Sequence, residues 1–510
     1  MQRLFASFVL VFFIGPWANG STLYVNKDNA CPGTGTTTDP YCSIQNALNV
    51  AVAGDDIRIR KASTPYDQNA RAQSSGTSAS PITIESDDPT NQAIIRYTGN
   101  GATAAAIQIL DKSYWTVQNL TFDGTGVFTS TMALWVGLTD TARWTNGPDL
   151  TGIRILNNTF KNWGGSEAQE SGMANQSALS ALLISGGYAP PSSSSYTITG
   201  TVVQGNVFDG DRMVPVTMTS TKNSVVQNNE FKNTTCGLQP SGGGGTAVVA
   251  DGIHIISGTT GIGSGDLYKN NTFHDFQSPS NCGLTPSGGG SYYEWDGLHC
   301  DVGPANGTVD GNTMWNIDPT NIHNGYGTGV HIEAMCFGWT VKNNVIYNIG
   351  YAGILHNPQS GSGSRDQYLN NTIYNTRSTG IELRYGYATV ENNIIHNSAI
   401  TQMYVRSGAV TSGNITIDYN DHWDLSGGNK VGSWNEGPVV AFTNWKSTCN
   451  CDAHSLNVNP LFVNPPSDFS LQLSSPCRGV GLGGIDMGAF TLTAPASTLS
   501  APTGLTATVH

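Results

Sequence analysis

VKNNVI (341–346), YLNNTI (368–373) and VENNII (390–395) carry one pattern: an apolar residue, a polar or Leu position, Asn-Asn, and a pair ending on an apolar residue. The same pattern reads back up the chain as VDGNTM (309–314), YKNNTF (268–273), VQNNEF (226–231), VQGNVF (203–208) and ILNNTF (155–160). Its second Asn falls at Asn158, Asn206, Asn229, Asn271, Asn312, Asn344, Asn371 and Asn393, and an earlier variant, VQNLTF, puts Leu120 in that register. The closest copies lie 22 or 23 residues apart, and gaps of up to 48 read as the same unit with insertions. A fixed period of this size marks a solenoid, whose units stack because none buries its apolar face alone. Val, Ile and Phe alternating with polar residues predict short strands, and the Asn and Gly between them predict tight corners. Stacked Asn side chains can hydrogen-bond from coil to coil as a ladder. The expected fold is all-β, a parallel β-helix.

Composition agrees with a turn-rich β protein: 510 residues, 61 of them Gly, with only 12% charged. The first twenty residues, MQRLFASFVLVFFIGPWANG, have Arg3, an apolar run and the small-residue site Ala18-Asn19-Gly20. They read as a secretory signal peptide whose apolar core is too short for a membrane span. The expected product is secreted, extracellular and monomeric. Its net charge of −13, without basic clusters, argues against nucleic acid as a partner. The same charge repels a polyanion unless cations or local Arg residues intervene.

Residues 21–115 read as an N-terminal cap and first coils, with SIQNALNVA as a capping helix. Residues 116–454 read as β-helix rungs, with Gly/Ser/Pro loops at 185–197, 237–247, 278–291 and 358–365. Residues 455–490 are expected to close the C-terminal end. Residues 491–510 read as a linker, in which APTGLTATV resembles the first strand of a fibronectin type III module. Nine Cys leave at least one unpaired within the chain. Cys31 with Cys42 is the first expected disulfide, Cys236 with Cys282 and Cys477 with Cys449 or Cys451 follow, and Cys300 is expected as a buried thiol.

The opening GDDIRIRKAS-TPYDQN with SASPITIES, the NNxF rungs, and NPLFVNP…DFSLQLSSPC…DMGAF resemble secreted right-handed β-helix proteins of the pectin-lyase-like superfamily over most of 21–490. The resemblance implies a right-handed coil. It leaves activity open, because the superfamily includes lyases, hydrolases, epimerases and proteins without known chemistry. Asp251-Gly252 and Asp296-Gly297 are similar to strand starts of polygalacturonase-like hydrolases, but the Asn-Thr-Asp, Asp-Asp and Arg-Ile-Lys elements are missing. Pectate-lyase-like relatives use a Lys or Arg base with calcium, and no Lys occupies the corresponding columns here.

Five segments share a second pattern: ADGIHIIS (250–257), WDGLHCDV (295–302), GTGVHIEA (327–334), YAGILHNP (351–358) and STGIELRY (378–385). Aligned on Gly, they stack Asp251 on Asp296, then His254, His299 and His331, followed by Leu355 and Glu382. Two positions on come Ile256, Asp301, Glu333, Asn357 and Arg384. Ile253, Leu298, Val330, Ile354 and Ile381 make an aliphatic inward column, so the His and Asp/Glu columns are expected on an outward, solvated face.

Rungs about 4.8 Å apart bring Asp301 beside Glu333, and like charges at that range raise one carboxyl pKa. A glycosidase needs such an acid and base. The expected catalytic set is therefore Asp296, Asp301, Glu333, His299 and His331. Asp251, His254, Asn357, Glu382, Arg384, Arg406, Tyr293 and Trp295 are expected to contact an extracellular polysaccharide, the aromatics by stacking on sugar rings. Hydrolysis requires no cofactor. The alternative is β-elimination or epimerisation of a uronate, with calcium on Asp301 and Glu333. A glycan-binding or adhesin role without catalysis is the further alternative. A transition-metal site is disfavoured here, because residues stacked on a flat sheet seldom converge. An Asp before Gly is also an ordinary turn former, and an outward His an ordinary strand residue.

Overall fold

Each coil repeats one order: a strand, the Asn corner, a second strand, a turn, a third strand, and a return. The computed structural model describes residues 20–99, 104–125, 132–138, 149–163, 180–186, 197–240, 246–256, 265–276, 288–289, 292–302, 305–318, 326–334, 336–358, 364–425, 427 and 429–490. Residues 1–19 of the expected signal peptide, the 491–510 tail and Cys282 lie outside them. Like strands of successive coils pair in parallel, building three long sheets of 13, 12 and 14 strands among the described residues. The first sheet runs from Thr22–Val25 to Ile415–Asp418, the second from Tyr66–Asp67 to Asp421–Trp423, and the third from Ala70–Arg71 to Gly432–Trp434. The chain is a right-handed parallel β-helix, the architecture that the rungs and the superfamily resemblance implied.

The two residues of each Asn-Asn pair have different tasks. The first turns the corner in the left-handed region, with φ of 52° to 59° at Asn157, Asn228, Asn270, Asn343, Asn370 and Asn392. Asn visits that region more readily than other residues with a Cβ, and Gly does so freely, which is why Gly205 and Gly311 (both φ 68°) replace it. The second Asn is buried and joins three coils. Asn312 Oδ1 accepts from the backbone N and the Nδ2 of Asn271 at 2.8 and 3.0 Å. Its own Nδ2 donates to the Tyr268 carbonyl and to Asn344 Oδ1, each at 3.0 Å. Both donors and both acceptor sites of the amide are thereby used. The ladder starts at Leu120, whose backbone N donates to Asn158 Oδ1. It extends one rung past the sequence pattern to Asn420, bonded to Asn393 and Ser455.

Inside the corner, Phe122, Phe160, Phe208, Phe231 and Phe273 stack with centroids 4.7–4.8 Å apart. That distance is the coil spacing itself. The helix Ile44–Val50, N-capped by Ser43, buries Ile44, Ala47 and Leu48 in the core of the first coil, as expected. At the other end the helix Phe442–Cys449 puts Trp445 against Gly432 of the third sheet's last strand. The segment expected to close this end runs back along the second sheet. Phe462 and Phe469 cover its outward Tyr347, Tyr374, Val345 and Ile394, an apolar strip that requires a cover.

Cys31–Cys42 is a disulfide, as expected, and Cys236 is disulfide-bonded. Two expectations are corrected. Cys300 is bonded to Cys336, because the chain curls back after Glu333, with Cys336 N donating to the Glu333 carbonyl at 3.0 Å. Cys449 pairs with Cys451, and Cys477 is the free, buried thiol among the described residues. No helix among the described residues is long and apolar enough to cross a membrane.

One region departs from the regular coil. Third-sheet strands Tyr292–Val302, Tyr326–Ala334 and Ala352–Pro358 have 11, 9 and 7 residues, whereas first-sheet strands Thr308–Asp310 and Thr340–Lys342 have 3 each. The antiparallel pair Gly237–Pro240 and Thr246–Val249 widens the sheet further, Thr246–Val249 aligning with the start of Tyr292–Val302.

Replacing Asn312 by Ala orphans buried groups on both neighbouring coils, and the expected loss of unfolding free energy is ~3 kcal/mol. Chemical denaturation followed by circular dichroism checks this, and a loss below ~1 kcal/mol contradicts the ladder's role.

Candidate functional site

The third sheet sets the His column in register: Thr217, His254, His299, His331, Leu355, Glu382 and Tyr404 are Cα partners coil by coil. Ile253, Leu298, Val330, Ile354 and Ile381 lie in the core, as expected. The next polar column is broken. Glu333 pairs with Asn357, but Ile255 pairs with Cys300 and Ile256 with Val302, so Asp301 is the extra residue of a bulge. A bulge re-aims the side chain it carries.

Asp296 stands three residues before His299, a spacing that places them on opposite faces of a regular strand. Here the two nevertheless approach within 3.8 Å, across a glycine. Gly297 packs so closely on the next coil that a Cβ would lie 2.7 Å from the Gly329 carbonyl oxygen. Asp251, Asp296 and the imidazoles consequently meet in one cluster.

The cluster is layered. His254 Nδ1 lies 3.3 Å from Asp251, and its Nε2 lies 3.3 Å from Asp301. His299 Nδ1 lies 3.4 Å from Asp251, and its Nε2 lies 3.3 Å from Glu333. His331 Nδ1 lies 3.0 Å from Asp296 and 3.4 Å from Glu294. The rings of His299 and His331 stack at 4.6 Å and 4°. Each imidazole thus faces an inner carboxylate with Nδ1 and the outer rim with Nε2. The expectation of an open, solvated face is corrected: the His side chains are 2–3% exposed, Asp251 and Asp296 are fully buried, and only the rim residues Asp301 and Glu333 reach 23%.

Charges follow the layering. Burial opposes protonation of His254, but Asp251 and Asp301 outweigh it and raise the pKa to about 9. His331 rises to about 10 and His299 well above the usual range, against burial, through the surrounding carboxylates. Burial lifts Glu294 to about 7, partly offset by His299 and His331, and lifts Asp296 in the same way. At the rim the balance reverses: the imidazoles overcome burial and hold Asp301 at about 2 and Glu333 below its usual value. The expected like-charge elevation of one member of the Asp301–Glu333 pair is therefore absent, because cationic rings lie beneath both.

The flanks are sorted by burial. Glu382, expected to bind substrate, is fully buried and anchors two guanidiniums, with Arg384 Nε and Arg406 Nε donating to its Oε1 at 2.7 and 2.6 Å. Tyr351 donates to its other oxygen at 2.5 Å. Arg384 and Arg406 remain 12% and 33% exposed, and the Arg406 guanidinium lies over Tyr404. Asn357 Nδ2 donates to Glu333 at 3.0 Å, orienting the rim carboxylate. Trp295, expected to stack on sugar, is a fully buried core residue, and Tyr293 packs half-buried beside it, with ring centroids 6.0 Å apart. Glu294 escaped the sequence reading because the aligned segment began one residue after it, at Trp295. Its two-residue spacing from Asp296 on a strand is the signal that it shares that face.

Three groups of donors bring their ligand atoms within 4.8 Å of one another: Glu294, Asp296, His299 and His331; Asp251, His254 and His299; and His299, Asp301 and Glu333. Calcium takes about six to eight oxygens. The rim supplies carboxylates mixed with imidazole, and Asn357 turns its amide nitrogen toward Glu333, so these residues do not fit calcium.

No model of a known protein family matches the chain. It is similar to the uncharacterized protein YwoF of Bacillus subtilis (strain 168), 25% identical over 197 residues, which cover 36% of this chain and 40% of that protein. The chain thus matches less than half the length of this curated relative. Among solved structures it is similar to XylC in complex with xylose, at 11% identity, 87% coverage of each chain and a TM-score of 0.49. It is also similar to the periplasmic alginate epimerase AlgG, at 13% identity, 78% and 81% coverage and a TM-score of 0.45. At these identities the likeness concerns the fold alone.

His254 is expected to titrate near pH 9, against the ordinary 6.5. Asp301→Asn removes one of its two anionic partners and is expected to lower the midpoint by about one unit or more. Proton NMR of the imidazole Cε1–H measures both, and an unchanged midpoint in the variant contradicts the contact.

Proposed function

We propose that this chain is an exported, polysaccharide-active enzyme whose substrate lies along the third sheet and is cut over the rim formed by Asp301 and Glu333. The observation that carries this reading is the rim itself. Two ionised carboxylates, the only members of the cluster that reach solvent among the described residues, approach within 4.8 Å above a buried imidazole layer. That separation is near the ~5 Å of retaining glycosidases and short of the ~6.5–9.5 Å by which inverting ones make room for an attacking water beside the sugar. Glu333, held by His299 and Asn357, is the attacking carboxylate. Asp301 sits on its bulge against His254 Nε2, and His254, kept protonated between Asp251 and Asp301, gives its Nε2 proton through Asp301 to the leaving oxygen; the water that then hydrolyses the glycosyl–Glu333 ester returns a proton along the same path.

Arg384 and Arg406 point to an anionic glycan. Arg384 follows Glu333 by two coils, about 10 Å along the sheet. Elsewhere a net charge of −13 disfavours such a polymer, so the pair supplies the local cation that a sugar carboxylate needs. The same pair favours a second reading, β-elimination at a uronate, since neither rim carboxyl is held protonated. Export is supported by the apolar leader and by the disulfides Cys31–Cys42, Cys300–Cys336 and Cys449–Cys451, bonds typical of oxidising compartments.

The test is a panel of neutral and uronate-containing polysaccharides, assayed for new reducing ends and for the ultraviolet absorbance of unsaturated uronates. New ends without that absorbance are expected, with Glu333→Gln and Asp301→Asn each lowering kcat about a hundredfold or more. Arg384→Ala is expected to raise KM on acidic polymers alone. Unsaturated product overturns hydrolysis in favour of elimination. Glycan binding that survives in both rim variants, with no product from any polymer, overturns the enzyme reading.

A further inference from the structure

Beneath the rim, the inner layer poses an electrostatic problem that the reaction above does not address. Asp251, Glu294 and Asp296 place three carboxylates in a region where the side chains are at most 3% exposed. Carboxylates are buried at such density only when cations or metals compensate them. Without a metal the imidazoles meet them as cations through Nδ1–H, whereas a metal ion on Nδ1 displaces that proton and supplies the compensating charge in its place.

We propose that Glu294, Asp296, His299 and His331 form a buried site for one divalent transition-metal ion of the zinc type, independent of the glycan-cleaving role assigned to the rim. The donor set is two imidazoles and two carboxylates from neighbouring strands, Tyr292–Val302 and Tyr326–Ala334. His331 Nδ1 lies 3.0 Å from Asp296 Oδ2 and 3.4 Å from Glu294 Oε1, and His299 Nδ1 lies 3.8 Å from each of these oxygens. Four ligands arranged tetrahedrally about 2.0–2.1 Å from a metal are ~3.4 Å from one another. The four distances straddle that value, and all four exceed the ~2.7–2.9 Å of a good charge-assisted hydrogen bond.

The surroundings suit ligands. When Nδ1 coordinates, the proton resides on Nε2, and Glu333 Oε2 lies 3.3 Å from Nε2 of His299 and 3.9 Å from that of His331. A carboxylate on the far nitrogen of a ligating His is the usual outer partner, fixing tautomer and ring orientation. Thr328 Oγ1 donates to Asp296 Oδ1, leaving Oδ2 for the metal. Asp251 borders the set, 3.4 Å from His299 Nδ1, and accepts the Asp296 backbone N at 3.2 Å. Mixed nitrogen and oxygen donors in a closed pocket select zinc, cobalt or manganese over calcium or magnesium. Convergence on a sheet, improbable for side chains of one column, arises because the imidazoles come from the His column and the carboxylates from the start of a long strand.

The experiment is metal analysis of untagged, full-length protein produced in zinc-supplemented medium and dialysed exhaustively, by inductively coupled plasma mass spectrometry. About one equivalent of zinc per chain is expected. Cobalt exchanged into the protein is expected to give the visible absorption of a tetrahedral nitrogen–oxygen site. Glu294→Gln and His331→Asn are each expected to lower zinc content about tenfold or more, whereas Asp301→Asn at the rim leaves it unchanged. Where a variant fails to fold, zinc stoichiometry and the cobalt spectrum of the unmodified protein still decide. Wild-type protein with less than about a tenth of an equivalent and no rise in Tm on adding zinc, cobalt or manganese overturns the site. So does full zinc content in a folded Glu294→Gln, His331→Asn double variant. Neither result depends on glycan cleavage, so this proposal and the enzymatic one fail separately.

Discussion

From Asn158 to Asn420 a buried asparagine amide bonded above and below locks each coil of this protein to the next. Its oxygen takes two donors from the coil before, and its nitrogen reaches both the coil after and a strand carbonyl of the coil before, as Asn312 does with Asn271, Asn344 and Tyr268. A slip of one residue orphans all four bonds at once. Coil-to-coil register is thereby held tightly, and whatever side chain occupies a position in one coil lies about 4.8 Å from its counterpart in the next. The Phe stack, the close-packed glycines and the three imidazoles are all consequences of that spacing.

Stacking is favourable for Phe and adverse for charge. His254, His299 and His331 are held in a column by the same register that stacks Phe122 to Phe273, so the protein must intersperse opposite charges. It does so by local departures from the regular coil. The long strand Tyr292–Val302 brings in Glu294, Gly297 admits Asp296 to the His face, and the bulge turns Asp301 onto His254. Irregularity is concentrated where the chemistry is.

Much of this is legible in the amino-acid order. Asn-Asn, with Gly tolerated only at the first position, reports a left-handed corner followed by a ladder rung. The Gly-aligned columns place Ile253, Leu298 and Val330 inside and stack the imidazoles. Asn420 was hidden because Tyr419 and His422 replace the residues that flank the other rungs. Trp295 looked like a sugar platform because an aromatic beside a Gly-rich loop carries no mark of which side of the sheet it enters. Glu382 looked like a substrate ligand until Arg384 and Arg406 closed on it. Cys300 passed for a thiol because its partner, Cys336, reaches the core only through the turn after Glu333.

The sequence by itself determined the period, the corner chemistry, the strand faces and the His register, since each depends on neighbours within a few residues or on identical positions one coil away. Which carboxylates are buried or exposed, which are ionised, and which side chains meet across coils were decided by the tertiary structure. Those properties depend on solvent exclusion and on charges from several strands at once, and alternation along a single strand carries no record of either.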